Sequence, residues 1–230
     1  MRYLMGVALA ACVLTLAGAA GAQSYERARR ACLFGPFETE NGRQFLPRHV
    51  DRETLGKLCT IILDSGRLTA HEQAIALNNR VEARGSDEAA DVADLDEAIR
   101  LAPRIAKLYH NRGLKKSADP VRAIDDFDVA IRLDPKYAVA WTSRGEAYYE
   151  LKQYDLAIRD LSEAIRLAPT YMHPMYNPYE SRARAREAKG DMEGAEADRT
   201  LYMPLWLRAH KNQPGRYTSG RRAWEGWLTL

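Results

Sequence analysis

Three segments of the chain are near copies of one another, and their spacing limits the possible fold more than any other feature. They cover residues 93–103, 125–135 and 159–169, and each ends in Ile-Arg-Leu-x-Pro. Their prolines are 32 and 34 residues apart. A second shared signal precedes each copy, namely Asn79-Arg80-Val81, Asn111-Arg112-Gly113 and Ser143-Arg144-Gly145. A period of this length built from two helical segments is typical of a helical-hairpin repeat.

A fourth and more divergent copy follows the third. Ser181-Arg182-Ala183 repeats the upstream signal, Lys189-Gly190-Asp191 supplies a turn, and Ala195 takes the small position of the second helix. The segment before Ser181 is longer than its counterpart and contains Pro174 and Pro178. We therefore predict a local bulge there.

The third copy resembles the tetratricopeptide repeat (TPR) family. The matching residues fall at the family's signature spacings, and they are Trp141, Gly145, Tyr148, Ala157, Leu161, Ala164 and Pro169. Arg144 departs from the pattern, because the family usually has leucine there. The resemblance implies an all-α solenoid of helical hairpins with about four repeats, near residues 69–103, 104–135, 136–169 and 175–203.

Flanking segments are predicted to cap the repeats. Residues 23–68 read as an N-terminal helical cap, with helices over 24–34 and 51–64, and residues 204–230 read as the end of a helix and a tail. Thr69 and Glu72 form a capping-box pattern at the start of the first repeat. No segment alternates apolar and polar residues as a strand would, so the prediction is all-α.

One arginine and one aspartate recur in every copy. The arginines lie in the first helices and the aspartates in the second helices. We predict that each arginine forms an ion pair with the aspartate of its own repeat, the pairs being Arg80–Asp94, Arg112–Asp126, Arg144–Asp160 and Arg182–Asp198. The alternative is that both partners face water, where such pairs contribute little.

The first 22 residues read as a signal peptide. Arg2 precedes an apolar stretch without charges, and Ala20-Gly21-Ala22 fits a signal peptidase site that leaves Gln23 as the mature start. The expected location is therefore periplasmic or secreted. A lipoprotein attached at Cys12 is disfavoured, because Cys12 lies very near the N-terminus with apolar or small residues after it. An uncleaved membrane anchor is the remaining alternative.

Export changes what is expected of the cysteines. The mature chain keeps Cys32 and Cys59, which are too far apart for a redox CxxC motif. An oxidising compartment favours a structural disulfide between them. The alternative is two separate buried thiols.

Motifs for catalysis are missing from the sequence. The five histidines form no His-Glu-x-x-His motif, and we find no Gly-x-Ser-x-Gly elbow, phosphate-binding loop or Cys/His cluster. A formal net charge of +3 is too small to indicate nucleic-acid binding. We therefore expect a protein that is not an enzyme and that uses no cofactor and no metal.

The resemblance implies a protein or peptide partner in a concave groove lined by the first helices. The groove-facing candidates lie three or four residues apart on those helices, and they are Asn78, Glu82, Lys107, His110, Leu114, Val139, Thr142, Glu146, Tyr149, Asn177, Glu180, Arg184 and Glu187. Some members of the family clamp the C-terminal carboxylate of a partner with asparagines and basic residues on the first helices. Of that set this chain has only Asn111. The expected function is a periplasmic adaptor or scaffold.

The C-terminal tail supports a second hypothesis. Residues 211–230 combine Trp224 and Trp227 with several arginines and a single acid, Glu225. The tryptophans could cover the last repeat, or the tail could bind an anionic envelope surface, which would make the chain a surface-associated structural protein. Export disfavours nucleic acid as the partner.

Overall fold

The computed structural model describes residues 19–34, 51–84, 87–169 and 177–209. These residues form ten α-helices and contain no β-strand. The prediction of an all-α, helical-hairpin repeat fold is confirmed. The chain divides into two compact units, Met1–Pro135 (unit 1) and Lys136–Leu230 (unit 2).

Unit 1 contains three pairs of helices. They are α1 (Ala19–Phe34) with α2 (Arg52–Asp64), α3 (Ala70–Ala83) with α4 (Glu88–Leu101), and α5 (Ala106–Lys115) with α6 (Pro120–Leu133). The α1–α2 pair packs on α3, and α4 packs on α5. Each pair thus covers an apolar face of the next, as a repeat array requires.

A disulfide links the two N-terminal helices α1 and α2, and hydrogen bonds link α1 to the first repeat. The disulfide links Cys32 of α1 to Cys59 of α2, with the two Cα atoms 5.0 Å apart. Both cysteines lie in an apolar cluster that also buries Tyr25, Ile62 and Leu68. Asn79 of α3 donates to the carbonyl of Cys32 at 2.6 Å, so it satisfies an acceptor at the end of α1. The expected disulfide is present, and α1 is fastened on two sides.

Unit 2 contains two hairpins. The first joins α7 (Ala138–Glu150) to α8 (Tyr154–Leu167), and the second joins α9 (Pro178–Ala188) to α10 (Met192–Ala209). Helix α9 packs against both helices of the first hairpin. Ala157, Leu161 and Ala185 are buried at the centre, with Tyr148 and Tyr149 packed around them.

Two glycines allow the helices of a hairpin to approach closely. A Cβ added at Gly145 would lie 2.8 Å from Cγ of Leu161, and one added at Gly113 would lie 2.6 Å from the ring of Phe127. These distances are far inside van der Waals contact. The small residue at this repeat position is therefore required by packing.

Helix ends follow the capping signals in the sequence. Thr69 and Glu72 form a reciprocal capping box at the start of α3. Asp119 caps α6, which has Pro120 in its first turn. Gly190, in the turn after α9, has φ of 85°, a conformation that glycine adopts without strain.

Several sequence predictions lie outside the described residues. They concern the leader up to residue 18 with Cys12, the bulge over 170–176, and the tail over 210–230. Within the described parts of the chain, no helix has both the length and the apolar character of a membrane span.

Candidate functional site

The four predicted Arg–Asp pairs are all formed, each between the two helices of one hairpin. The nitrogen–oxygen distances are 2.7 Å for Arg80–Asp94, 2.5 Å for Arg112–Asp126, 2.6 Å for Arg144–Asp160 and 2.5 Å for Arg182–Asp198. Asp126, Asp160 and Asp198 are buried. These charges neutralise one another inside the hairpins, so they belong to the framework that positions the surface.

A second cation from the first helix completes three of the four pairs, whereas Asp160 has its second cation, Arg159, on its own helix α8 at 3.4 Å. The first-helix cation lies four residues after the arginine, one helical turn on, and is Arg84, Lys116 or Arg186. The third repeat has Tyr148 at this position. There the guanidinium of Arg144 lies 4.8 Å from the ring centroid of Trp141 and 5.9 Å from that of Tyr148. The arginine that departs from the family pattern is thus held by aromatic rings as well as by Asp160.

Unit 1 has a polar cluster between its first helices α3 and α5. Glu82 Oε1 accepts from Asn78 at 3.0 Å and from Asn111 at 3.1 Å, and Lys107 Nζ lies 2.8 Å from the same oxygen. Asn111 also donates to Asn78 at 2.7 Å. The structure therefore brings together three of the predicted groove residues, Asn78, Glu82 and Lys107. We call these three and Asn111 the Glu82 site.

The donors outweigh burial at this carboxylate. Burial by itself raises the pKa of Glu82, but the hydrogen bonds and charge of Lys107, together with Asn78 and Asn111, lower it below its ordinary value of 4.5. Glu82 is therefore ionised at neutral pH and is saturated with donors from its own chain.

Unit 2 has a corresponding cluster between its first helices α7 and α9. Glu146 Oε1 accepts from the hydroxyl of Ser181 at 2.8 Å. Tyr149 lies one turn further along α7, and the guanidinium of Arg184 lies 4.5 Å from its ring centroid. Tyr154 also packs against Tyr149, with ring centroids 5.7 Å apart. We call Glu146, Ser181, Tyr149 and Arg184 the Glu146 site.

Burial dominates at the second carboxylate. It raises the pKa of Glu146 above the ordinary value of 4.5, and the opposing effects of the Ser181 hydroxyl and the Arg184 charge are smaller. Glu150 adds a further upward contribution. Within the described ranges no cationic nitrogen lies within 4.0 Å of Glu146.

Sequence and structural comparisons bear on this arrangement. Residues 138–171, which contain α7 and α8, match the tetratricopeptide repeat family. A crystal structure of MamA has a similar helical fold, with a TM-score of 0.58 over 70% of this chain and 91% of the MamA chain. The chain contains a tetratricopeptide repeat over residues 138–171.

Other solved structures extend the comparison. A second MamA structure is 19% identical, with a TM-score of 0.56 over 70% of this chain and 86% of that one. The TPR domain of Arabidopsis OM64 is 23% identical, with a TM-score of 0.45 over 54% of this chain and 97% of that domain. The first MamA structure is 18% identical. At these identities the likeness to the two MamA structures concerns the fold alone. A comparison with curated protein sequences finds no significant match.

Three residues predicted to line the groove are instead buried. Asn78, His110 and Thr142 have between 3% and 4% of their surface exposed. The hydroxyl of Thr142 donates to the carbonyl of Ala138 at 3.1 Å, within its own helix. Burial lowers the pKa of His110 to about 4, so the ring is neutral and packs against Phe127. These positions belong to the interior, although Asn78 still reaches Glu82.

Three groove candidates in the fourth repeat have partners within their own hairpin. Asn177 precedes α9 and caps it, because its side chain accepts from the backbone nitrogens of Tyr179 and Glu180. Glu187 pairs with Arg199 of α10 at 2.7 Å, and Glu180 lies 3.7 Å from the same arginine. Glu180 and Glu187 are engaged inside the second hairpin, because α10 packs against α9 and carries a long cation facing it.

The remaining groove candidates keep some exposure. Glu82, Lys107 and Arg184 are exposed, and Leu114, Val139, Glu146 and Tyr149 are half-buried. Asn111 and Ser181, the donors from the following repeat, were absent from the predicted set. Their position in the sequence could have indicated this role, because Asn111 and Ser181 each come immediately before the ion-pair arginine of their repeat. Within the described residues no group of His, Cys, Asp or Glu is placed to hold a metal ion.

Proposed function

We propose that this protein is a non-catalytic scaffold of the periplasm or cell exterior that holds a protein partner on the first helices of its repeats. The observation that carries the proposal is the pair of polar clusters around Glu82 and Glu146. In each of them, side chains from successive first helices converge on one carboxylate. Such side chains can exchange hydrogen bonds and charge with a partner without moving the hairpins.

The framework supports a binding role. Each Arg–Asp pair links the two helices of its hairpin, and the helix contact at Gly145 is closely packed, so the first helices present their side chains from a fixed backbone. Preorganised side chains lose less conformational entropy on binding than mobile ones.

Two features support export. The predicted cleavage after Ala22 precedes every residue of α1 that joins the apolar cluster, the first of them being Tyr25. A structural disulfide such as Cys32–Cys59 forms and persists in an oxidising compartment, which supports export. A fusion of alkaline phosphatase to Leu230 is expected to be active in cells, and to lose activity when residues 2–22 are deleted.

Site-specific photo-crosslinking in cells tests the binding surface. A photoreactive amino acid at Tyr149 is expected to capture one defined protein. The same group at Arg166, which is exposed on α8 and pairs only with its neighbour Glu163 in the described structure, is the matched control. A third position, Arg222, probes the tail.

The result distinguishes the hypotheses from the sequence. Capture from Tyr149 but not from Arg166 supports the first-helix surface. Equal capture from both sites contradicts it. Capture from Arg222 alone, of protein, lipid or wall material, would transfer the function to the tail.

A further inference from the structure

The two polar clusters stand at the same place in the repeat. Glu82 and Glu146 each lie two residues after the ion-pair arginine of their own repeat. Their donors Asn111 and Ser181 each lie one residue before the arginine of the following repeat. The same geometric position is therefore built twice in one chain.

The two positions differ in how many donors reach the carboxylate. Glu82 receives Asn78, Asn111 and Lys107. In unit 2, Thr142 stands in the place of Asn78, and its hydroxyl donates to the carbonyl of Ala138 and not to Glu146. Asn177 replaces Lys107, and its side-chain oxygen caps α9. Among the described residues, only Ser181 donates to Glu146.

Tyr149 and Arg184 complete the surroundings of Glu146. Tyr149 offers the face of a half-buried ring one helical turn away, a surface that suits the apolar stem of a long basic side chain. Arg184 is exposed, and its guanidinium lies against that ring and outside ion-pair distance of Glu146. It shows that the ring accepts a cation. Glu150, exposed at the end of α7, adds a second negative charge.

We propose that the Glu146 site receives a lysine or arginine side chain of the protein partner. Lys107 is the internal precedent, because it occupies the matching place beside Glu82 at 2.8 Å. In unit 2 this cation has to come from outside the described chain. The inference rests on the proposed scaffold function and specifies the chemistry of the partner.

A peptide display experiment tests the inference. Short random peptides are selected on the purified mature protein, on Glu146→Gln and on Glu82→Gln. Glutamine keeps the shape of the side chain and its hydrogen bond with Ser181 but removes the charge. Circular dichroism and melting curves establish that all three proteins are folded.

The expected result is position-specific. Peptides selected on the unmodified protein are enriched in lysine or arginine at one position, and Glu146→Gln weakens their binding about tenfold through loss of a charge-assisted hydrogen bond. Glu82→Gln leaves the preference for lysine or arginine at that position unchanged, because Lys107 already occupies the Glu82 carboxylate.

The other outcomes separate the two proposals. Selected peptides without basic enrichment, or with affinity that Glu146→Gln does not alter, would overturn the inference and leave the scaffold function standing. Recovery of no binding peptide from any of the three proteins would count against both.

Discussion

Glu82 in unit 1 and Glu146 in unit 2 occupy corresponding repeat positions, yet their environments are opposite. Three donors surround Glu82, and its pKa is lowered, whereas one hydroxyl reaches Glu146, and its pKa is raised. The difference comes from two substitutions, Thr142 for Asn78 and Asn177 for Lys107. A repeat backbone fixes where a side chain stands, and the neighbouring residues decide whether the chain satisfies it or leaves it for a partner.

The largest expected effect concerns the buried ion pairs, which both units contain. Asp160→Ala removes the buried carboxylate that pairs with Arg144, whose side chain is 12% exposed, and it should cost about 3–5 kcal/mol of unfolding free energy. Asp126→Ala removes the carboxylate shared by Arg112 and Lys116 and should cost a comparable amount. Urea denaturation followed by circular dichroism measures both variants.

The exposed residue Asp155 provides the control for that comparison. Asp155→Ala removes a surface ion pair with Lys189 and should cost less than about 1 kcal/mol. A loss for Asp160→Ala or Asp126→Ala as small as that for Asp155→Ala would contradict buried ion pairing in the hairpins.

The disulfide is expected to stabilise unit 1 selectively. The cysteines are 27 residues apart, and the double substitution Cys32→Ala, Cys59→Ala should cost about 3–4 kcal/mol in the chain-entropy model. Hydrogen exchange should accelerate in α1–α3 and stay unchanged in α7–α9. Acceleration of equal size in both units would contradict a local effect, and a reductant should not alter the variant further.

Glycine substitutions compare the hairpin contacts directly. Gly145→Ala and Gly113→Ala should each cost about 1–3 kcal/mol, because the new methyl group overlaps Leu161 or Phe127. Gly56→Ala is the matched control, since its Cβ would lie 3.6 Å from Ala83, an ordinary contact. The control should gain about 0.5–1 kcal/mol from helix propensity. Equal melting temperatures for the three variants would contradict a close approach of the helices at Gly145 and Gly113.

The smallest expected effect concerns the two carboxylates themselves. The contributions of Glu82 and Glu146 to folding stability should depend on pH with opposite sign. Because the pKa of Glu82 is lowered by folding, its contribution to stability is present above the ordinary pKa and is lost as the pH falls through the folded pKa. Because the pKa of Glu146 is raised, its ionised form opposes folding at neutral pH, and protonation relieves this.

Melting temperatures of the two glutamine variants test these signs. At pH 7 we expect Glu82→Gln to lower the melting temperature and Glu146→Gln to raise it. Each corresponds to a change in unfolding free energy within about 1 kcal/mol. Near pH 4 both differences should shrink. A fall in melting temperature for Glu146→Gln at pH 7 would mean that its carboxylate has a partner in the folded chain.

The sequence predicted the framework better than the surface. The period, Gly145, the capping box at Thr69 and the spacing of Arg144 and Asp160 are local or repeated signals, and each corresponds to one contact within a hairpin. The disulfide followed from the expected compartment and the number of cysteines.

The candidate site was harder to predict, because a helix face read from spacing gives direction but not depth. Thr142 and His110 share a helix face with exposed residues, yet neighbouring helices cover them. Asn177 was assigned to a helix that begins one residue later. Glu180 and Glu187 turn towards Arg199, which no residue spacing within α9 could indicate. Contacts between first helices depend on how adjacent hairpins pack, and that geometry is absent from a single helix pattern.

The placement of each buried Arg–Asp pair within one hairpin also bears on how such a chain can change in evolution. Each hairpin contains both charges, so a gene duplication or deletion of one hairpin leaves no orphaned buried ion in its neighbour. A pair shared between hairpins would have to be inherited together. This arrangement frees the repeat number to vary, while residues such as Asn78 and Thr142 diverge copy by copy and set what each copy can bind.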